Sequence, residues 1–260
     1  MTSVLLIVDG SKSEKGGTEM KLIVLAGGRG KRMGMLTSKK QKAVLPFNGS
    51  PLLKHVINGF LNEIRIGKIY ILTGYRCEDV HSVLMESYPL QLETGKISCV
   101  DLPSVTGTLS RLKASISEVG TGEDCLVCGI DSLVPFEVSQ RFLDFCEDSH
   151  RNVSLLLSPY LQIAPTHKVA TLHAGRLCEY ECADSVEDWI GSECFTDVGI
   201  RYFPAKILEE IASSRFENDV YIPTCIKALL RSGSDIRGFV FQEDWKHFAY
   251  VEDLVASSAS

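Results

Sequence analysis

No apolar run in this chain approaches the roughly 18 to 20 residues that a membrane-spanning helix needs, which argues against a membrane protein of that kind. The early run "SVLLIV" is too short for the core of a secretion signal and has no basic flank before it, so export is not expected and a cytoplasmic location is. Positive charge is in short supply overall: 27 Lys and Arg face 33 Asp and Glu, for a net charge of −6. That balance excludes general attraction to nucleic acid or to an anionic membrane surface. Nine cysteines follow no framework spacing and are odd in number, which fits reduced thiols rather than a disulfide scaffold. The CxxC pair Cys125 and Cys128 sits inside the apolar run "DCLVCGID". On a strand, residues three apart face opposite ways, so that pair reads as packing and not as a metal clamp. Cys178, Cys182 and Cys194 read the same way. Linkers, repeats and low-complexity tracts are missing from the main body of the chain, which predicts one domain over residues 20–260. Residues 1–19, with "GSKSEKGGTE", read as a flexible N-terminal extension.

What is there is a regular alternation. Strands are predicted at Leu22–Ala26, Lys68–Thr73, Ile97–Val100, Cys125–Cys128 and Val153–Ser158. Helical patterns fall between them, at Pro51–Ile64, Cys77–Tyr88, Gly107–Val119 and Pro135–Cys146. Such alternation predicts an α/β fold of three layers, α/β/α, around a mixed, mostly parallel central sheet. Past residue 160 or so the pattern changes. "KVATLHAGRLCEYE" predicts two strands about a turn at Ala174–Gly175, and "CFTDVGIRYF" another strand. Helices at Ala205–Ser213, Val220–Arg231 and Glu252–Ala256 and a strand at Ile236–Phe241 complete a second lobe, about residues 161–260, beside a first of about 20–160.

The densest local signal follows the first strand. "LAGGRGKRMGMLTSKKQKAVLPF" places Gly27, Gly28 and Gly30 where the chain must turn and expose backbone N–H groups, with Arg32, Lys39, Lys40 and Lys42 close behind. Glycines there allow a phosphate or a base edge to approach the backbone closely. Clustered cations repel one another unless a polyanion joins them. A dinucleotide fingerprint would open its helix at once, whereas here some twenty residues intervene before Pro51. A Walker A loop would close on GK[ST], which is missing.

This stretch resembles the signature of the sugar-1-phosphate nucleotidylyltransferases, LAGGxGTRLxPLTxxxPKxLxPVxGKPLL. Leu25 to Gly28, Gly30, Arg32, Leu36, Thr37, Lys42, Leu45, Pro46, Gly49 and Pro51–Leu53 fall in register without a gap. Lys31, Met33, Met35 and Gln41 depart from it. "RMG" by itself is also similar to molybdenum-cofactor guanylyltransferases and methylerythritol-phosphate cytidylyltransferases, but those keep the lysine nearer the arginine than Lys42 is to Arg32. Further along, "GTLSRLKAS" resembles a GTAxA segment, "CLVCGIDSL" a strand ending in a metal-binding aspartate, and "WKHFAYVEDL" a closing WxDiGTPEDL.

The resemblance implies a Rossmann-like nucleotide-diphospho-sugar transferase fold and a partner pair of nucleoside triphosphate and sugar 1-phosphate. It implies that Leu25, Ala26, Gly27, Gly28, Gly30, Gly107 and Thr108 line the nucleotide, with Arg32 on the triphosphate. Lys42 would bridge the α-phosphate and the incoming sugar phosphate, and Asp131 would hold Mg²⁺. An alternative role for Asp131 is to cap the turn that ends its strand. His247 stands where the family has a second metal-binding aspartate. Mn²⁺ or Co²⁺ would tolerate its nitrogen, or Asp131 carries the metal and His247 packs on Trp245. In the second lobe, Glu181, Asp197, Gly199 and Lys168 are the implied sugar-phosphate residues, though the family's lysine beside Glu181 is missing and Asp197 replaces an asparagine. Lys168 or His167 is the candidate replacement cation. An unusual acceptor follows from those departures: a heptose, an amino sugar, a cyclitol phosphate or phosphocholine. A catalytically silent relative that binds nucleotide sugars and regulates a partner is the other reading. The base and the oligomeric state are not legible, and a homo-oligomer is compatible with the chain.

Overall fold

Strand β1 (Met20–Leu25) is apolar but for Lys21, the pattern of a strand covered on both faces, and all of it except Leu25 is fully buried. Alternate residues divide between two cores: Leu22 and Val24 enter one, Ile23 the other. The computed structural model describes residues 19–149, 152–160, 168–182, 193–213, 216 and 220–256. The N-terminal extension, save Glu19, and His167 lie outside the described residues.

After β1 come helix α1 (Leu36–Lys39), the short strands β2 (Pro46–Phe47) and β3 (Ser50–Pro51), and helix α2 (Leu52–Asn58). They are followed by β4 (Ile66–Thr73), α3 (Cys77–Ser87), α4 (Pro89–Glu93), β5 (Ile97–Asp101), α5 (Thr108–Val119) and β6 (Cys125–Gly129). Next are β7 (Ser132–Leu133), α6 (Phe136–Asp148), β8 (Val153–Ser158), β9 (Lys168–His173) and β10 (Arg176–Cys182). The chain ends with β11 (Cys194–Phe203), α7 (Ala205–Ala212), α8 (Ile222–Arg231), β12 (Ile236–Val240), β13 (Lys246–His247) and α9 (Val251–Ala256).

Nine strands form one mixed sheet in the order β5-β4-β1-β6-β11-β8-β12-β10-β9. Its strands share one direction except β10 and β11. Leu53 of α2, Val80 of α3 and Phe142 of α6 pack on one face. Leu112 of α5, Leu208 of α7 and Leu229 of α8 pack on the other. Each such side chain contributes on the order of 1.5–3 kcal/mol when fully buried. The result is the three-layer α/β/α arrangement the alternation implied.

The hairpin turn between β9 and β10 has Ala174 and Gly175 at φ 49° and 75°, the pair of left-handed residues that a two-residue hairpin requires. Cys125 and Cys128 point into different cores, as strand periodicity demands, and all nine cysteines are free. Among the described residues no helix is long and apolar enough to cross a membrane.

Helix α4 and the short strands β2, β3, β7 and β13 were not predicted, and two further differences stand out. Helix α2 stops at Asn58 rather than Ile64, with Gly59, a poor helix former, as its cap. The interval after Gly30 is not a plain loop: it holds α1 and two 3-10 turns, Lys31–Met33 and Lys42–Val44. A third small core of Met33, Leu45, Phe47, Leu52, Phe248 and Leu254 pins that interval to the end of the chain.

Candidate active site

At the end of β1 the backbone turns beneath two unforeseen braces. Gly30 has φ 60°, and a Cβ there would come within 3.0 Å of the Thr37 methyl and 3.2 Å of Lys42 Cβ. Glycine at this point both supplies the left-handed turn and lets the Lys42 stem pass under it. The first brace is Gln41, fully buried. Its side-chain N–H donates to the Ala26 carbonyl and, at 3.3 Å, to that of Gly28, while its oxygen accepts the Ala43 N–H. In sequence Gln41 is merely a departure from the family's proline; in the fold it ties the glycine turn to the lysine that follows. Gln41→Ala should lower the stability of the protein by about 1–3 kcal/mol, the cost of stranding buried polar partners, read as a lower urea midpoint.

The second brace is Arg111, also buried. Its guanidinium donates to the carbonyls of Thr73 at 2.6 Å, Leu102 at 2.9 Å and Gly27 at 3.0 Å. A Cβ on Gly27 would meet it at 2.3 Å, and one on Gly74 at 2.4 Å. Burial pulls its pKa below the ordinary arginine value. In "GTLSR" it stands where the GTAxA pattern ends in alanine, the signal by which sequence alone could have singled it out.

Lys42, almost wholly buried, donates from Nζ to Asp131 Oδ2 at 3.0 Å, across 89 residues of chain. Asp131 follows β6, and the bare Gly129 makes room for its carboxylate, which lies 2.5 Å from where a Cβ would be. Burial pushes the Asp131 carboxyl up. The charges of Lys42 and His247 and the Lys42 hydrogen bond outweigh that effect and hold it well below the usual carboxylate range. The Asp131 side chain is 32% exposed, so it borders solvent.

The closing segment is stitched to the same place. β13 pairs with β7, His247 opposite Ser132, and the Phe248 N–H donates to the Asp131 carbonyl at 2.8 Å. His247 Nδ1 lies 3.2 Å from Ser132 Oγ, and its ring packs edge-on to Trp245 at 5.8 Å. Three residues on, the Tyr250 ring lies 5.6 Å from the guanidinium carbon of Arg32. Residues 247–250 therefore touch both Asp131 and Arg32.

Gly107 and Thr108 open α5. Gly107 has φ 86°, with the Val220 carbonyl 2.4 Å from where a Cβ would sit, and Thr108 Oγ1 accepts the Ile222 N–H at 2.9 Å. In the second lobe Gly199, φ 87°, backs onto Ser132 Oγ. The Asp197 carboxylate is turned inward. It accepts from Arg201 Nε at 2.9 Å, from the Tyr180 hydroxyl, and from the Gly199 N–H at 2.8 Å. Glu181 pairs with Lys227 of α8, and the Lys168 ammonium lies on Cys182 Sγ.

A family profile described as the MobA-like NTP transferase domain matches residues 22–197. The bifunctional protein GlmU of Oceanobacillus iheyensis is 23% identical over 242 residues, 90% of this chain and 50% of that protein. The chain thus spans about half the length of the curated relatives it matches. A Bacillus anthracis structure described as a glucose-1-phosphate thymidylyltransferase superposes with TM-score 0.75 at 20% identity, over 92% of this chain and 94% of that one. The inositol-1-phosphate CTP transferase of T. maritima superposes with TM-score 0.72 at 16% identity, over 94% and 98%. At these identities the structural likeness establishes the fold, and the profile, covering well over half the chain, establishes the family. This chain belongs to the MobA-like NTP transferase domain family.

Proposed function

We propose that the chain transfers a nucleoside monophosphate from a nucleoside triphosphate to the phosphate of a sugar 1-phosphate, releasing pyrophosphate and a nucleoside-diphosphate sugar. The observation that carries this reading is the Lys42–Asp131 pair at 3.0 Å beside the glycine turn, with the segment 247–250 reaching from Asp131 to Arg32. Two anions must meet, so positioning and charge neutralisation dominate the barrier.

In this reading the backbone from Leu25 to Gly30, with Gly107 and Thr108, receives the nucleotide. Arg32 neutralises the departing pyrophosphate. Lys42 turns from Asp131 to the α-phosphate and steers the acceptor oxygen onto the phosphorus opposite the leaving group. One ionised, part-exposed carboxylate fits the way Mg²⁺ is held beside phosphates, with few protein oxygens and the rest from substrate and water. Asp131 would hold the ion, which when bound polarises the phosphate oxygens. His247, engaged with Ser132 and Trp245, orients the segment next to that carboxylate.

The acceptor belongs to the class of phosphate monoesters of polyhydroxylated rings, as the names of the two structural neighbours suggest. Pyrophosphate release should be measured for each common triphosphate against glucose 1-phosphate, an amino-sugar 1-phosphate, inositol 1-phosphate and phosphocholine, with Mg²⁺. One strongly preferred ring phosphate is the expected result. Preference for phosphocholine would move the acceptor out of the sugar class. Silence across the panel with triphosphate still bound would overturn the reading in favour of a regulatory relative.

A further inference from the structure

On the flank of the sheet away from Asp131, two short spacings meet. Cys77 and His81 are four apart on α3, which puts them on one helix face. Cys99 and Asp101 are two apart on the edge strand β5, which puts them on one strand face. The fold turns these faces toward each other. The ligand atoms of Cys77, His81 and Asp101 all lie within 4.8 Å of one another. His81 Nε2 is 2.9 and 3.0 Å from the two Asp101 oxygens, and Cys99 Sγ is 3.9 Å from Oδ1. A tetrahedral zinc with bonds of about 2.0–2.3 Å holds its ligands roughly 3.3–3.8 Å apart. Cys77, His81 and Asp101 therefore stand within about 1–1.5 Å of that spacing, and Cys99 Sγ adjoins Asp101.

We propose that Cys77, His81, Cys99 and Asp101 form a zinc site that fastens α3 to β5. Two thiolates and an imidazole select zinc or cobalt over magnesium, which takes oxygen. Binding displaces the two thiol protons to solvent and moves no electrons. The surroundings are those of a built site. Buried Thr73 donates its hydroxyl to Asp101 Oδ1 at 2.5 Å, the kind of outer hydrogen bond that orients a ligating carboxylate. His81 and Asp101 are 43% and 44% exposed, which gives the ion a way in.

The site has a mechanical consequence. Between Cys77 and His81, Asp79 accepts the Gln41 backbone N–H at 2.8 Å. Beyond Asp101, Leu102 gives its carbonyl to Arg111. Metal at this point stiffens both braces of the glycine turn.

Cobalt titration of the reduced, metal-stripped protein tests this without reference to catalysis. One equivalent of Co²⁺ should produce a thiolate-to-cobalt charge-transfer band and the visible bands of tetrahedral cobalt, both abolished by Zn²⁺. Cys77→Ser and Cys99→Ser should each weaken the charge-transfer band, and His81→Ala, at a half-exposed position, should loosen Co²⁺ at least about tenfold. Asp131→Asn should leave the thiolate-to-cobalt band unchanged, which separates this site from the carboxylate beside Lys42. A wild-type protein that gives no charge-transfer band, or a band indifferent to Cys77→Ser or to His81→Ala, overturns the proposal.

Discussion

Lys42→Ala is expected to lower kcat/KM by about 10²- to 10³-fold, near 2.7–4 kcal/mol of transition-state stabilisation, the usual loss on removing a buried donor to a developing oxyanion. Burial and geometry together support a loss of that size. Lys42 is 7% exposed, so its ammonium acts in a medium of low polarity, where one charge counts for more than it would in water. Its stem is lodged against Gly30, where even a methyl group would sit 3.2 Å away. Lys42→Arg should rescue little, since the planar, longer guanidinium does not fit a channel shaped for a linear chain. Steady-state kinetics on the acceptor that the substrate panel selects reads the effect, and an unchanged circular-dichroism spectrum separates it from misfolding. A loss carried entirely by a raised KM, with kcat unchanged, would mean that Lys42 binds substrate without assisting transfer.

Asp197→Ala is expected to cost about 3–5 kcal/mol of stability, the range for removing one partner of a buried ion pair. Its side chain is fully buried and that of Arg201 is 11% exposed, with the second contact of the pair at 2.7 Å. Burial pulls the Arg201 guanidinium down, but the Asp197 charge raises it above its ordinary value; arginine does not lose its proton in proteins, so removing Asp197 leaves a buried charge without its carboxylate. The neighbouring Tyr180 hydroxyl is pushed up, first by burial and then by Asp197. Urea unfolding should show Arg201→Leu nearly as damaging, and the double variant less damaging than the sum. A sugar-phosphate role for Asp197, as the family resemblance implies, makes a different prediction: unaltered stability and a raised KM for the acceptor. The inward-turned carboxylate favours the first outcome.

Much of this architecture is legible without coordinates, and the reason is periodicity. The run Val153–Ser158 coincides with β8 end to end, and the Ala174–Gly175 turn joins the strands read around it. Pieces of three or four residues are too short to show a period, so the helical turns at Lys31–Met33 and Lys42–Val44 went unread. In the site, a long gapless motif singles out Arg32 and Lys42 and a shorter match singles out Asp131, but no local rule says that Lys42 and Asp131 touch. The burial of Asp197 is hidden for another reason. A charged residue on a strand is read as exposed, and the partner that allows its burial, Arg201, lies beyond an irregularity in the β11–β8 ladder. The Cys77–His81 and Cys99–Asp101 pairs were each present in sequence, yet their meeting depends on β5 lying beside α3. Gln41 and Arg111 were visible as exceptions to a pattern, and only the fold reveals what they hold.

The central claim is that Lys42 and Asp131 form one grip, in which the lysine is handed from carboxylate to phosphate as Mg²⁺ arrives. Calorimetric titration of the preferred triphosphate into wild-type and Asp131→Asn protein, with and without Mg²⁺, tests it most directly. The account predicts that Mg²⁺ tightens wild-type binding by at least about tenfold, 1.4 kcal/mol. It predicts that Asp131→Asn loses this gain yet binds the metal-free triphosphate at least as well as wild type, because Lys42 has lost its competing anion. An equal Mg²⁺ gain in both proteins would contradict it.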